Sequence, residues 1–104
     1  MSNNEITQEM IGEWKSKYGE IYSINLSEKT YVYRPLKRLE YKSIVSNADT
    51  NRSYSEEQIV QKCLIYPGAD TFDVSAEKAG TVSTLTDLIM VASNFGVTEE
   101  PVKL

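Results

Sequence analysis

The sequence has no histidine and a single cysteine, Cys63, in 104 residues. Without histidine the usual general base is missing, and the common zinc donor sets would have to be built from carboxylates alone. A lone cysteine cannot form an internal disulfide and is consistent with a reducing compartment. Basic residues are a minority, 11 against 15 acids for a formal charge of -4. Phosphate neutralisation needs a basic face, so no nucleic acid partner is expected. No run approaches the roughly 18 apolar residues of a membrane span, and "MSNNEITQEM" has neither a basic nor an apolar leader region. A soluble, unexported protein with no membrane partner is expected, so the glycosylation patterns at Asn25 and Asn51 carry no weight. Only 3 prolines and 5 glycines punctuate the chain, and each therefore informs where an element stops.

What is present is ordinary globular material: 40% hydrophobic and 25% charged residues, enough for one domain with its own core and too little for two. Met10, Ile11, Trp14 and Tyr18 recur at helical spacing opposite Glu9, Glu13, Lys15 and Lys17. This predicts a helix over 7–18, capped by Thr7 or Asn4 and ended by Gly19. The period then becomes two. Tyr22, Ile24 and Leu26 alternate with Ile21, Ser23 and Asn25, "LSEKT" is a turn, and Tyr31-Val32-Tyr33-Arg34 alternates again. An antiparallel hairpin over about 20–26 and 30–35 follows. Pro35 has no amide donor and forces Arg34 towards extended geometry, so the strand stops there and a helix begins just after it.

That helix, about 37–48, places Leu36, Leu39 or Tyr41, Ile44, Val45 and Ala48 inward, with Lys37, Arg38, Lys42 and Ser43 outward. Residues 46–53 form a polar loop, and Ser55-Glu56-Glu57-Gln58 matches a capping box opening a helix over about 56–66. Its apolar positions run through Ile59, Val60, Cys63 and Leu64 to Tyr66, before Pro67-Gly68 and a second loop over 67–78. The last helix, about 80–95, carries Val82, Leu85, Leu88, Ile89, Ala92 and Phe95 at spacings of three and four, with Gly96 as its cap. Residues 1–6 and 97–104 read as loose termini, and no internal repeat is visible. The expected fold is a small single α+β domain: an N-terminal helix and one hairpin, roofed by three further helices, the last two packing as an antiparallel unit. The hairpin edges are left open.

No cofactor, metal site or catalytic group is expected. Cys63 sits at an inner helical position, where cysteine behaves as a small hydrophobe; as a nucleophile it would lack a base. Glu56 with Glu57, or Asp70 with Asp73, would be the carboxylate pairs of a small enzyme or a calcium site, but neither spacing is diagnostic. "PGADTFD" lacks a calcium ligand ladder, and "GADTFDVSAEKAG" lacks the glycines and the Gly-Lys-Ser/Thr of a phosphate cradle. The 7 tyrosines are more informative, since Tyr31, Tyr33 and Tyr41 surround the Pro35 joint. They either form an interface or clothe a small sheet. Arg34, Lys37, Arg38 and Lys42 make a local basic cluster or a solvated helix face.

The order of features resembles a known family. A hairpin whose second strand ends in "YRPL", followed by "xxxEY" on a helix, here "YVYRPLKRLEYKSIV", is similar to the small tail assembly chaperones of tailed bacteriophages. "SEEQIVQKCLIYP" and the closing "SNFG" extend the resemblance over roughly residues 10 to 96. Lys37 stands where such chaperones often carry Thr or Ser as a helix cap. The resemblance implies a non-enzymatic protein that holds the tape-measure protein or baseplate components in the host cell cytoplasm during assembly. The alternative is a structural subunit of the baseplate or tail, resident in the virion; an enzyme using carboxylates or Cys63 is the third reading. On the first reading the partner-binding residues are Tyr31, Tyr33, Arg34, Arg38, Tyr41, Leu88 and Phe95, together with the hairpin edge.

Overall fold

The computed structural model describes residues 6–46, 51–68, 72–96 and 99–104. Among them the chain forms α1 (Gln8–Tyr18), β1 (Tyr22–Leu26), β2 (Lys29–Tyr33), α2 (Arg38–Ser46), α3 (Arg52–Cys63), β3 (Leu64–Tyr66), a 3-10 turn (Val74–Ala76) and α4 (Ala79–Ala92). The fold is α+β, with helices around an antiparallel sheet of order β1-β2-β3. Expectations placed on Asn4, Ala48 and Asp70 lie outside the described residues.

α1 starts and stops where its sequence directs. The Thr7 hydroxyl accepts the Met10 N–H at 3.1 Å, and Gly19, at φ 83°, ends the helix because a side chain there would be strained. The hairpin register sets Leu26 opposite Lys29, leaving Ser27 and Glu28 as a two-residue turn with φ of 52° and 67°. Positive φ at both positions suits the twist of the flanking strands. It is normally taken by Asn-Gly, so the side chains of Ser27 and Glu28 carry a local strain.

The sheet is wider than the hairpin. The helix expected to reach residue 66 ends at Cys63, and Leu64–Tyr66 pair antiparallel with β2. Leu64, Ile65 and Tyr66 fit helical and extended backbone alike by their apolar pattern. Pro67 biases Tyr66 towards extended geometry, and the open side of β2 offers backbone partners that one more helical turn would not use. The Arg34 N–H donates to the Cys63 carbonyl at 3.0 Å, closing the seam.

Strand alternation divides the sheet into two faces. Tyr31 and Tyr33 join Leu36, Ile44, Ile59, Val60, Cys63, Leu64, Phe72, Leu85 and Ile89 in one core cluster, with Ile24 and Leu26 packed against it. Ser23, Asn25, Thr30 and Val32 take the other face. α1 lies on that side without a fully buried residue, its Trp14 ring 6.0 Å from Tyr66. Phe72, within a stretch expected to be loop, is 7% exposed and meets Tyr31 edge-on at 6.2 Å and 88°.

Several boundaries differ from expectation for local reasons. α3 begins earlier than the Ser55 capping box, because the Asn51 side chain accepts the Tyr54 N–H at 2.8 Å and the Ser55 N–H is already bonded to the Asn51 carbonyl. α4 is closed by Asn94 rather than Gly96. Asn94 adopts φ 71°, and the Phe95 and Asn94 N–H groups return to the Met90 and Val91 carbonyls at 2.9 and 3.0 Å, a Schellman motif. In α2, Tyr41 and Ile44 turn inward while Leu39 and Val45 are 78% and 42% exposed, since so short a helix touches the core along one narrow stripe. α3 and α4 run in the same sense, not antiparallel. Glu56, early in α3, bonds Ser83 in the first half of α4, and both C-terminal ends reach the Arg34-Pro35-Leu36 joint through Lys62 and Ser93.

Candidate protein-binding surfaces

The joint is a fastening. Pro35 turns the chain out of β2 and leaves the Arg34 side chain free to reach forward. Its Nη1 and Nη2 donate to Glu40 Oε1 and Oε2 at 3.0 and 2.8 Å, while Nη1 also bonds the Pro35 carbonyl and Nη2 the Lys62 carbonyl, each at 3.0 Å. The cation thus sits at the C-terminal end of α3, where helical carbonyls lack partners and the backbone dipole is negative. Glu40 Oε1 in turn accepts the Lys37 N–H at 2.9 Å. This is the returning half of a capping box, the other half being absent because lysine has no oxygen to offer. The Arg34 bonds hold the Glu40 carboxyl below its ordinary value and raise that of Arg34. Leu36 N–H donates to Ser93 Oγ at 2.7 Å, and that hydroxyl donates to the Ile89 carbonyl at 2.6 Å. The end of β2, the start of α2 and the ends of α3 and α4 are therefore gathered by one short stretch.

The candidate binding residues separate into core and surface. Tyr31 and Tyr33, expected as partner-binding, are 2% and 6% exposed and belong to the core, because their strand positions face α3 and α4. Burial, with the bond from Tyr31 Oη to Glu77 Oε1 at 3.0 Å, pushes the Tyr31 pKa up to about 12; burial also raises that of Tyr33. Arg34 is committed to the joint. Leu88 is partly buried against the core. Arg38, Tyr41 and Phe95 do come together: the Tyr41 and Phe95 rings stand 4.9 Å apart and the Arg38 guanidinium lies 5.6 Å from the Tyr41 ring. With Leu36, Lys37 and Asn94 they line a recess of about 220 Å³. Leu39 and Val91, the latter 57% exposed, add apolar surface that periodicity had assigned inward or passed over.

Of the groups named for chemistry, Cys63, Glu56 and Asp73 are otherwise engaged. Cys63 is fully buried, and burial above all pushes its thiol up to about 11, so at neutral pH it is a protonated core group rather than a thiolate. Glu56 accepts from Ser83 Oγ at 2.8 Å and Arg52 Nε at 3.1 Å. Asp73 accepts the Ser75 N–H at 3.0 Å and caps the 3-10 turn. Glu57 lines a shallow cleft of about 190 Å³ with Glu56 and Glu77, and among the described residues no group of three or more His, Cys, Asp or Glu is placed to hold a metal.

A second surface lies at the other side of the sheet. Between α1 and the face carrying Ser23, Asn25, Thr30 and Val32 runs an open groove of about 460 Å³, with Ile11 and Lys15 on its α1 wall. β1, at the margin of the sheet, borders it. No protein-family model matches this chain, and no curated protein or solved structure matches it either.

Proposed function

We propose that this chain is a non-enzymatic protein of bacteriophage tail morphogenesis, similar to small tail assembly chaperones, that binds the tape-measure protein or baseplate components in the host cell cytoplasm. The observation that carries a binding role is the recess of Arg38, Tyr41 and Phe95, a partly buried pair of aromatic rings with an exposed arginine at its rim. Aromatic and arginine side chains are the residues that most often anchor protein interfaces, since they give wide contact at low entropic cost. The tail assignment rests on the resemblance carried by "YVYRPLKRLEYKSIV", whose Tyr33, Arg34, Pro35, Leu36, Glu40 and Tyr41 surround one fastened joint. Holding a partner in this way involves no covalent step.

Affinity purification of the tagged chain from phage-infected cells, read by mass spectrometry, tests the proposal. Tape-measure or baseplate proteins are expected to co-purify and to be lost with Arg38→Glu, a substitution at an exposed position. Recovery of no tail protein refutes the assignment. Mass spectrometry of purified virions separates the chaperone, which is absent from finished particles, from a structural subunit, which is present.

A further inference from the structure

The two margins of the sheet are built differently. β3 is 3 residues long and runs directly into Pro67, two of the devices by which edges are kept from pairing. β1 has 5 residues, YSINL, with no charge and no proline, and a regular register against β2. Among the described residues, no backbone group outside β2 bonds it. Beside it lies the groove beneath α1, floored by Ser23, Asn25 and Val32 and walled by Ile11 and Lys15. An open ladder with an adjacent groove supplies both parts of a strand-addition site: backbone pairing for affinity, and a space for alternate side chains for selectivity.

The ends of the strand decide the occupant. Glu20 and Glu28 stand just before and just after β1, exposed, and among the described residues neither joins an ion pair. A second copy laid antiparallel over the whole of β1 would face Ile24 with Ile24 and bring Glu20, in the bend before the strand, towards Glu28 of the turn at both ends, and like charges brought together are destabilising. A segment basic at both ends meets the same carboxylates with complementary charge. We propose that β1 accepts an extended segment of a partner protein, β-branched and uncharged in its middle and basic at both ends, whose alternate side chains enter the groove under α1. The inference rests on the reading of the chain as a protein-binding module and is independent of the tail assignment.

The test uses the full chain and a synthetic, end-capped peptide of alternating Val and Thr with two Lys at each end. Binding is expected to slow hydrogen exchange of backbone amides within 22–26 and to shift the NMR signals of Ile11, Lys15 and Val32. The same peptide with Glu ends should bind at least about tenfold more weakly at low salt, a difference that shrinks as salt is raised. N-methylation along one edge of the peptide should abolish binding, while along the other edge it should leave binding intact. Glu20→Lys combined with Glu28→Lys should reverse the charge preference, with circular dichroism checking that the fold is retained. Equal affinity for the two peptides, protection elsewhere in the chain, or a peptide-free dimer that protects β1 would overturn the proposal. Peptide binding as described, with no tail protein recovered from infected cells, removes the tail assignment alone; tail proteins recovered without peptide binding removes the strand-addition site alone.

Discussion

Replacing Arg34 with methionine keeps most of the side-chain stem and removes the guanidinium from the joint. Glu40 then loses both of its charge-assisted bonds, and the Pro35 and Lys62 carbonyls lose a donor. An exposed ion pair contributes about 0.2–1 kcal/mol, and removing one partner of a fully buried pair costs about 3–5 kcal/mol. With side chains 13% and 23% exposed, this pair lies between the two and nearer the buried limit, at about 2–3 kcal/mol. For 104 residues, a melting entropy of about 2.1 cal/mol/K per residue converts that into a fall of about 10 °C in Tm. Chemical denaturation of Arg34→Met, Glu40→Gln and the double variant should give a coupling energy of at least about 1 kcal/mol. The pH dependence has a definite sign. Glu40 is held below its ordinary value of 4.5, so its contribution is complete above that value and disappears as pH falls through the lower, folded-state value. Arg34 stays charged throughout. Wild type should therefore lose more stability than Glu40→Gln as pH falls below 4.5 and through the lower, folded-state value. Arg34→Met within about 0.5 kcal/mol of wild type, with additive single variants, would refute the joint as a stabilising device and leave a solvent-screened surface pair.

Other perturbations check other parts of the structure. Ser27→Asn with Glu28→Gly fits the positive-φ turn and should raise stability in urea by about 1 kcal/mol; a loss of stability contradicts the turn geometry. Tyr31→Phe leaves Glu77 without its donor and should cost about 1–2 kcal/mol. Because the Tyr31 pKa is raised from 10.0 to about 12, that hydroxyl's contribution is complete below the ordinary value and is lost as pH rises towards the folded one. Alkaline unfolding followed by fluorescence should thus be steeper in wild type than in the variant. Cys63 should react with a thiol reagent at neutral pH only as the chain unfolds, and prompt labelling of the native protein would place it outside the core. Leu85→Ala, at a fully buried site, should cost about 2.5–4 kcal/mol, whereas Leu39→Ala at the surface should stay within about 0.5 kcal/mol; similar losses at both sites would reverse their assigned burial.

Much of the architecture is legible without coordinates, because it follows from demands that neighbouring residues make on one another. Thr7 and Gly19 bound α1, alternation writes the hairpin, Pro35 forces the switch of period, and the Leu85-Ile89 stripe makes α4. Each rests on backbone geometry or a hydrogen bond spanning a few positions. The surface recess is half legible: Arg38, Tyr41 and Phe95 are visible as candidates, but Phe95 is brought to Tyr41 only by the return of α4 to the joint.

What tertiary structure alone decided are the choices between locally equivalent answers. Asn51 and Ser55 are both competent caps, and α3 starts at the first of them, whose side chain accepts the Tyr54 N–H. Leu64-Ile65-Tyr66 continues a helical apolar pattern and fits a strand equally well, until β2 presents an unpaired side. Tyrosine suits an interface and a core alike, and the orientation of β2 commits Tyr31 and Tyr33 to the core. The sequence also marks both hairpin edges as open, yet pairing with β3 closes one and leaves β1 as the free margin. Periodicity and capping encode only what a segment can satisfy by itself. Which of its options is realised depends on the hydrogen-bonding groups and apolar surface that distant segments bring beside it.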